Sequence, residues 1–480
     1  MAPIPTGITF STLNLTQSPI AASIDGIASS AKSVCQSQTC TVLGQSPAVP
    51  FVKLTLTSYD KNMETDVSVT ITMLRRIPKK RKWEMLNCSG PPWRVYRLKM
   101  NKNHQRILVF PERPLASWMS DLPDSLPLSN LCLPGTHETM ALYGWPFSQC
   151  QDVTLTEQFN RGVRMVDIRI VLVKGELRAY HGATPERATF TSILSDVCAY
   201  IQSPQGRRET IILSIMEEDS FVPSSPLFSK LVHDAILSEP SNRSLWYLEP
   251  CIPTLGQVRG KIILFSRFGK NGEHWEHGLN GLGIHPTTWP DNARDGFEWE
   301  TPRPRWGTPC TRVRTQDWYG IPSFLSIPEK AEAAVKMLDP VEDETGRGRA
   351  DLAITYLSAA RIPFALPSTV ACGFGWSYMG VEGVNSRVGR WLLRRLVGDE
   401  DGVGAVTSAA GSSETTLIGM EKDPKVAGDS ILDTREAPQP RLRGWVLIDF
   451  IRDPYDLGII PLLVECNWRG RVDGEEGWGG

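Results

Sequence analysis

No stretch of the 480-residue chain approaches the ~18 consecutive apolar residues that a membrane-spanning helix needs. A transmembrane segment is therefore not expected. The opening MAPIPTGITF has no basic segment and no long apolar run, so a secretory signal is not expected either. The ten cysteines lack the CxxC spacing of a metal knuckle. Free buried thiols are expected rather than a disulfide framework, although Cys35 and Cys40 are close enough to pair in an oxidising compartment. The GxSxG elbow of a serine hydrolase is missing, and only seven histidines occur. Neither sign of charge dominates, with 51 Lys and Arg against 53 Asp and Glu. No nucleic-acid partner is expected. With these signals missing, the expected location is the cytoplasm or the periphery of a membrane.

What is present is a core-forming chain. Hydrophobic residues make up 41% and charged residues 22%, which excludes wholesale disorder. Length alone predicts about three domains at ~150 residues each, or one large α/β barrel with a smaller companion. The small net charge hides an asymmetry. Residues 1–110 hold 14 Lys and Arg against 5 Asp and Glu, and the remainder is correspondingly acidic. Such an imbalance is either ordinary surface variation or the footprint of a module resting on an anionic leaflet.

Residues 1–112 read as β-rich. ITFSTLNLT, PFVKLTLTSY and DVSVTITML alternate in short Val, Ile, Thr and Leu runs between turn residues. A small sandwich-like accessory domain is the expectation, with membrane contact as one reading of its basic charge. RRIPKKRK, residues 75–82, reads as a solvated hairpin loop, with acidic-lipid contact or nuclear targeting as alternatives.

From residue 113 the texture changes to strands alternating with helices. Eight strands are predicted: 130–137, 163–170, 177–182, 210–217, 261–268, 311–317, 352–360 and 445–451. Helices are predicted at 190–201, 227–236, 327–338 and 384–396 from apolar spacing at i, i+3, i+4 and i+7. Asn385 reads as a helix cap. The fold expected for 113–470 is an irregular (β/α)8 TIM-type barrel. It is irregular because only the turn KGE separates the second strand from the third. Residues 338–351 are polar. Residues 398–441 read as a disordered insertion and 471–480 as a frayed tail. The loop holding His285 and Trp289 reads as packing beside the barrel mouth or as a lipid contact.

Polar residues gather at the C-terminal strand ends, where barrel enzymes build their sites. They are His137 and Glu138, Asp167 and Arg169, His181, Glu217 and Glu218, Arg267, Asp317 with Tyr319, and Asp449. Two imidazoles can serve as base and acid near neutral pH. An arginine between them can clamp a phosphoryl oxygen with its planar fork. Base, acid and anion clamp together point to transfer at phosphorus, with the attacking hydroxyl supplied by substrate or water.

The ordered set PGTHET (134–139), QFNRGVRMVDIRI (158–170), LRAYHG (177–182), ETIILSIMEE (209–218), GKIILFSRF (260–268) and TQDWY (315–319) resembles the X-type barrel of phosphatidylinositol-specific phospholipase C in its bacterial, metal-independent form. The resemblance implies cleavage of phosphatidylinositol at a membrane surface to diacylglycerol and inositol 1,2-cyclic phosphate. It assigns His137 as general base with Asp449 as its partner, matched through VLIDF. It assigns His181 as general acid, Arg169 as phosphate clamp and Asp167 as support. Glu138, Glu217, Arg267, Asp317 and Tyr319 fall to the substrate-binding set. No metal and no cofactor are implied, since Arg169 stands where calcium-dependent relatives need acidic oxygen ligands. Two departures stand out. Glu138 follows the first histidine in place of the usual Asp or Asn, and Met216–Glu217–Glu218 replaces the lysine common on the fourth strand. These keep two alternatives open: a phosphodiesterase for another lipid headgroup, and a non-catalytic barrel binding inositol phosphate or anionic lipid.

Overall fold

The structure, a computed structural model, describes residues 7–27, 33–46, 48–58, 67–78, 81–86, 92–218, 228–238, 243–268, 283–301, 310–339, 351–376, 379–398, 441–471, 474, 477 and 478. The N-terminal part is all β. Its strands are β1 (Ile8–Asn14), β2 (Ile20–Ile24), β3 (Ser33–Cys35), β4 (Cys40–Ser46), β5 (Phe51–Ser58), β6 (Ser68–Leu74), β7 (Trp83–Met85), β8 (Trp93–Lys99) and β9 (His104–Pro111). They form a five-stranded sheet in the order β4-β1-β9-β8-β7 and a four-stranded sheet in the order β3-β2-β5-β6.

Period-2 alternation explains how the two sheets sit. In β9, Ile107 and Val109 join a core shared with Leu54, Leu56 and Ile71 of the smaller sheet. The intervening Leu108 and Phe110 join a different core, which continues into the rest of the chain through Trp118, Leu155 and Ile460. The larger sheet is therefore buried on both faces. In the basic loop, Arg76, Arg81 and Lys82 are exposed while Ile77 is buried, and Lys79 and Lys80 lie outside the described residues.

The second part is built on β10 (Cys132–Thr136), β11 (Met165–Val173), β12 (Glu176–His181), β13 (Thr184–Thr189), β14 (Thr210–Glu217), β15 (Trp246–Tyr247), β16 (Lys261–Arg267), β17 (Phe297–Glu300), β18 (Arg312–Gln316), β19 (Leu352–Tyr356), β20 (Gly373–Trp376), β21 (Met379–Glu382) and β22 (Gly444–Ile448). Eight strands run parallel in the order β15-β16-β14-β11-β10-β22-β19-β18, and β17 adds antiparallel to β18. Among the described residues no ladder joins β15 to β17. Interior rings span the sheet nonetheless, with Phe265 of β16 edge-on to Trp299 of β17 and Trp445 of β22.

All eight expected strands occur, but one has another role. Residues 177–182 form β12, which pairs antiparallel with β11 and with β13. The KGE turn is too short for the crossover that a parallel neighbour requires, so β12 and β13 hang from β11 as a hairpin. The eighth parallel strand is the two-residue β15. Helices fill the expected places at Phe190–Gln202, Phe228–Leu237, Ile327–Leu338 and Val384–Leu396. In the first of these, Thr189 caps the N-terminus by accepting from Ser192 N, and Ile193, Val197 and Ile201 bury one stripe. Residues 399–440, most of the expected insertion, and 340–350 lie outside the described residues. The nine described cysteines are unpaired.

Candidate active site

His137 follows β10 directly. Its backbone N–H donates to Ile448 O at 3.2 Å, and Gln151 Nε2 donates to both His137 O and Ile448 O at 2.8 Å. The ends of β10 and β22 are thus tied together. That brings Asp449 within 2.9 Å of His137 Nδ1, across 312 positions of sequence. A carboxylate only accepts, so Nδ1 carries the proton and Nε2 offers a lone pair. Arg169 Nη2 lies 3.0 Å from Nε2 and donates to it.

Strand β11 supplies two side chains on one face. Asp167 and Arg169 are two residues apart, with Arg169 Nε 3.3 Å from Asp167 Oδ2. Arg169 Nη1 lies 2.5 Å from Glu138 Oε1 and 3.5 Å from Glu218 Oε2. The Glu138 contact is a close ion pair but not an aligned hydrogen bond, since Oε1 has no hydrogen-bond partner. The same Oε1 is 3.8 Å from His181 Nε2. His181 Nδ1 donates to Ser148 O at 2.6 Å, which again leaves Nε2 toward the site. The two imidazoles therefore flank an Arg169–Glu138 pair, each with Nε2 inward.

The electrostatics follow from burial and crowding. Burial pushes the Glu138 carboxyl well above its ordinary value; Arg169 opposes this, while Glu218, Asp167 and Asp449 reinforce it. Burial also opposes ionisation of Asp167, but Arg169, Arg267 and His137 outweigh it and hold this carboxyl below the usual range. Burial disfavours the Arg169 cation too, yet Glu138, Asp167 and Glu218 hold it firmly charged. His181 is lowered from its ordinary value, first by burial and then by the Arg169 and His137 charges.

Arg267, at the end of β16, reaches inward. Its Nη1 is 3.6 Å from Asp167 Oδ1 and 3.4 Å from Tyr356 Oη. Its guanidinium lies 3.9 Å above the Trp289 ring, and Trp289 Nε1 donates to Asp317 Oδ2 at 2.9 Å. Trp289 is therefore part of the site wall. Its neighbour His285 bonds Ser266 Oγ at 3.0 Å beneath it. Tyr319 stands at the rim, 43% exposed, and donates to Asp291.

Glu217 is the one site expectation that the structure places elsewhere. Register pairs Arg169 with Met216 and Ile170 with Glu217, so Glu217 shares the face opposite Arg169. Glu218 is the carboxylate that enters the site, approaching Arg169 and accepting from Gly182 N at 2.7 Å. Counting two positions along the strand from Met216 would have found it. Tyr356 and Ser148 O carried no sequence signal, because their roles depend on the packing of distant segments. Among the described residues, one trio of donor atoms lies close enough to hold a metal, in His137, Cys150 and Asp449. His137 and Asp449 in that trio already bond each other. Glu138 and Asp167, the acidic groups a calcium ion would need, each face the Arg169 cation.

Residues 125–268 match the family model described as phosphatidylinositol-specific phospholipase C, X domain. The matched segment is 144 of the 480 residues. It contains His137, Asp167, Arg169, His181 and Arg267, whereas Asp317, Tyr319 and Asp449 lie beyond it. The 1-phosphatidylinositol phosphodiesterase of Listeria monocytogenes is 34% identical over 164 residues, covering 31% of this chain and 48% of that protein. The enzyme of the same name from Staphylococcus aureus is 27% identical over 185 residues, covering 37% and 58%. The chain thus spans about half the length of the curated relatives it matches. A solved structure of the Staphylococcus aureus phosphatidylinositol-specific phospholipase C superposes with a TM-score of 0.50 at 20% identity, covering 74% of this chain and 98% of that one. The shared fold extends beyond the X-domain segment.

Proposed function

We propose that the protein cleaves phosphatidylinositol by intramolecular transfer at phosphorus, releasing diacylglycerol and inositol 1,2-cyclic phosphate. His137 Nε2 takes the proton of the inositol 2-hydroxyl as that oxygen bonds to phosphorus. His181 Nε2 gives a proton to the diacylglycerol oxygen as its bond to phosphorus breaks. Arg169 faces the phosphoryl oxygens, Asp449 stabilises the His137 imidazolium, and Asp167 holds Arg169. Arg267, Asp317 and Tyr319 line the headgroup side. An attacking group already on the substrate removes up to ~7–11 kcal/mol of entropic barrier, and acid and base each contribute roughly 100- to 10,000-fold. No metal ion enters this scheme.

One observation carries the reading: two imidazoles of defined tautomer meet one Arg169–Glu138 ion pair, His137 Nε2 at Arg169 and His181 Nε2 at Glu138. A membrane substrate suits the rim. Trp145, Phe147, Leu325, Ile362 and Phe364 are 54–71% exposed on loops that follow β10, β18 and β19, at the same end as His137 and Asp317. No helix among the described residues is long and apolar enough to cross a membrane. We read the parallel strands as an irregular TIM-type barrel spanning 113–470, with 1–112 as a β-sandwich accessory domain.

A second reading has a specific support. Arg169 is already engaged by three carboxylates, which suits a barrel that binds a headgroup without turnover. Phosphorus NMR of the protein with phosphatidylinositol vesicles and a chelator separates the two. A cyclic phosphodiester resonance that grows with time supports catalysis. Binding to vesicles without that resonance overturns it, and cleavage that stops with chelator removes the metal-free scheme.

A further inference from the structure

Asp449 sits at the start of a segment whose backbone needs outside support. Phe450, Tyr455 and Asp456 have φ of 49°, 66° and 61°, the left-handed region that costs a non-glycine residue conformational energy. Such a segment keeps its shape only when neighbours over-determine it. One neighbour is Asn385, fully buried on the helix Val384–Leu396. The helix cap is Gly383, with no side-chain cap bond, so Asn385 is not the cap that the sequence suggests. Its Nδ2 lies 2.9 Å from Asp449 O, 3.4 Å from Phe450 O and 3.3 Å from Asp453 O.

The other neighbour comes from the N-terminal sheets. Trp83 of β7 is 1% exposed. Its Nε1 donates to Ser386 O at 2.9 Å, next to Asn385. Its own carbonyl accepts from Tyr455 Oη at 2.7 Å, and the two rings meet edge-on at 5.2 Å. The indole lies so close to the helix that a Cβ at Gly389 would stand 2.5 Å from Trp83 Cζ2. Only glycine admits this approach. Trp83 thus holds both walls of the Asp449 segment, the helix through Ser386 and the segment through Tyr455.

We infer that Trp83, Tyr455 and Asn385 are positioning residues for the acid–base site, through which the N-terminal sheets set the placement of Asp449 against His137. The inference rests on the role proposed for Asp449. It gives the N-terminal part a catalytic consequence without any contact to substrate.

The test uses the full chain. Tyr455→Phe removes one hydroxyl and keeps the ring packed on Trp83. Asn385→Asp removes the donor to all three carbonyls at nearly constant size. Tyr247→Phe serves as control, because it deletes a hydroxyl bonded to Cys251 O away from the site. Turnover of phosphatidylinositol vesicles and the proton resonance of His137 Nδ1–H, which reports its bond to Asp449, are measured in each. Tyr455→Phe is expected to lower kcat about fivefold with KM within twofold, the scale of one buried hydrogen bond, and to shift the Nδ1–H resonance. Asn385→Asp is expected to do both more strongly. Tyr247→Phe is expected to do neither. A Tyr455→Phe protein with wild-type kcat and resonance overturns the inference, as does a change that Tyr247→Phe reproduces. If Asn385→Asp does not fold, Tyr455→Phe still decides. The resonance needs no substrate, so it separates failure of this coupling from failure of the proposed reaction.

Discussion

The two histidines of the site are anchored in different ways. His137 follows a strand of the parallel sheet, and its Nδ1 is held by the carboxylate of Asp449. His181 ends a strand of the hairpin hung from β11, and its Nδ1 is held by a backbone carbonyl, Ser148 O. Both anchors fix the same tautomer and present Nε2. Only the first adds a negative charge. A carboxylate stabilises an imidazolium, which suits a group that gains a proton in the reaction. A neutral carbonyl orients the ring while burial and Arg169 make its proton easier to give up. The proposed base and the proposed acid are thus distinguished by what holds the other nitrogen.

The largest expected effects come from deleting either end of this comparison. His137→Ala should lower kcat on phosphatidylinositol vesicles by roughly 1,000-fold or more, with the protein folded by circular dichroism. A variant within tenfold of wild type would remove His137 from the chemistry. Next comes the anchor itself. Asp449→Asn keeps the shape but removes the charge, and kcat should fall by roughly 100-fold while vesicle binding stays within twofold. An equal loss of binding would mean that Asp449 serves structure instead. The third effect is a pH limb. As the proposed acid His181 must be protonated, and burial with the Arg169 charge holds its pKa below the ordinary value. Turnover should therefore decline as pH rises through that depressed pKa. In Arg169→Gln the repelling cation is gone, and the His181 titration followed by NMR should move to higher pH. An unmoved titration would show that Arg169 does not set it. The smallest effect is expected at Cys150, whose Sγ is 3.9 Å from His181 Nδ1. Its thiol is pushed well above its ordinary value by burial first and then by Asp449 and Glu138, so it offers no thiolate. Cys150→Ser should leave kcat within about threefold, and a larger loss would give the sulfur a part in holding His181.

Much of this site was legible in the sequence because strand ends converge in a parallel sheet. PGTHET, VDIRI and LRAYHG named His137, Asp167, Arg169 and His181, and VLIDF named Asp449 across a long intervening segment. The misreading of Glu217 for Glu218 came from assigning a carboxylate to a strand end without applying the alternation of the strand. The hairpin nature of 177–182 was foreshadowed by its short turn, but a two-residue strand such as β15 has no periodicity to detect. Trp289 reads in the sequence as loop packing or a lipid contact and Asn385 as a helix cap, and neither as a support of the site. Their partners, Arg267 and Asp317 for one and the carbonyls of 449–453 for the other, are neighbours only after folding. The N-terminal strands were readable from alternation, yet burial of the larger sheet on both faces was not, since nothing local tells which of two alternating faces meets a second core.

The most direct test of the division of labour is the rate of His137→Ala and His181→Ala on two inositol phosphodiesters, one with an alkyl leaving group and one with p-nitrophenolate. A phenolate departs without a proton, so His181→Ala should regain most of its lost activity on the aryl substrate while His137→Ala stays inactive on both. Equal losses for the two variants, whatever the leaving group, would contradict the assignment of His181 as the acid and His137 as the base.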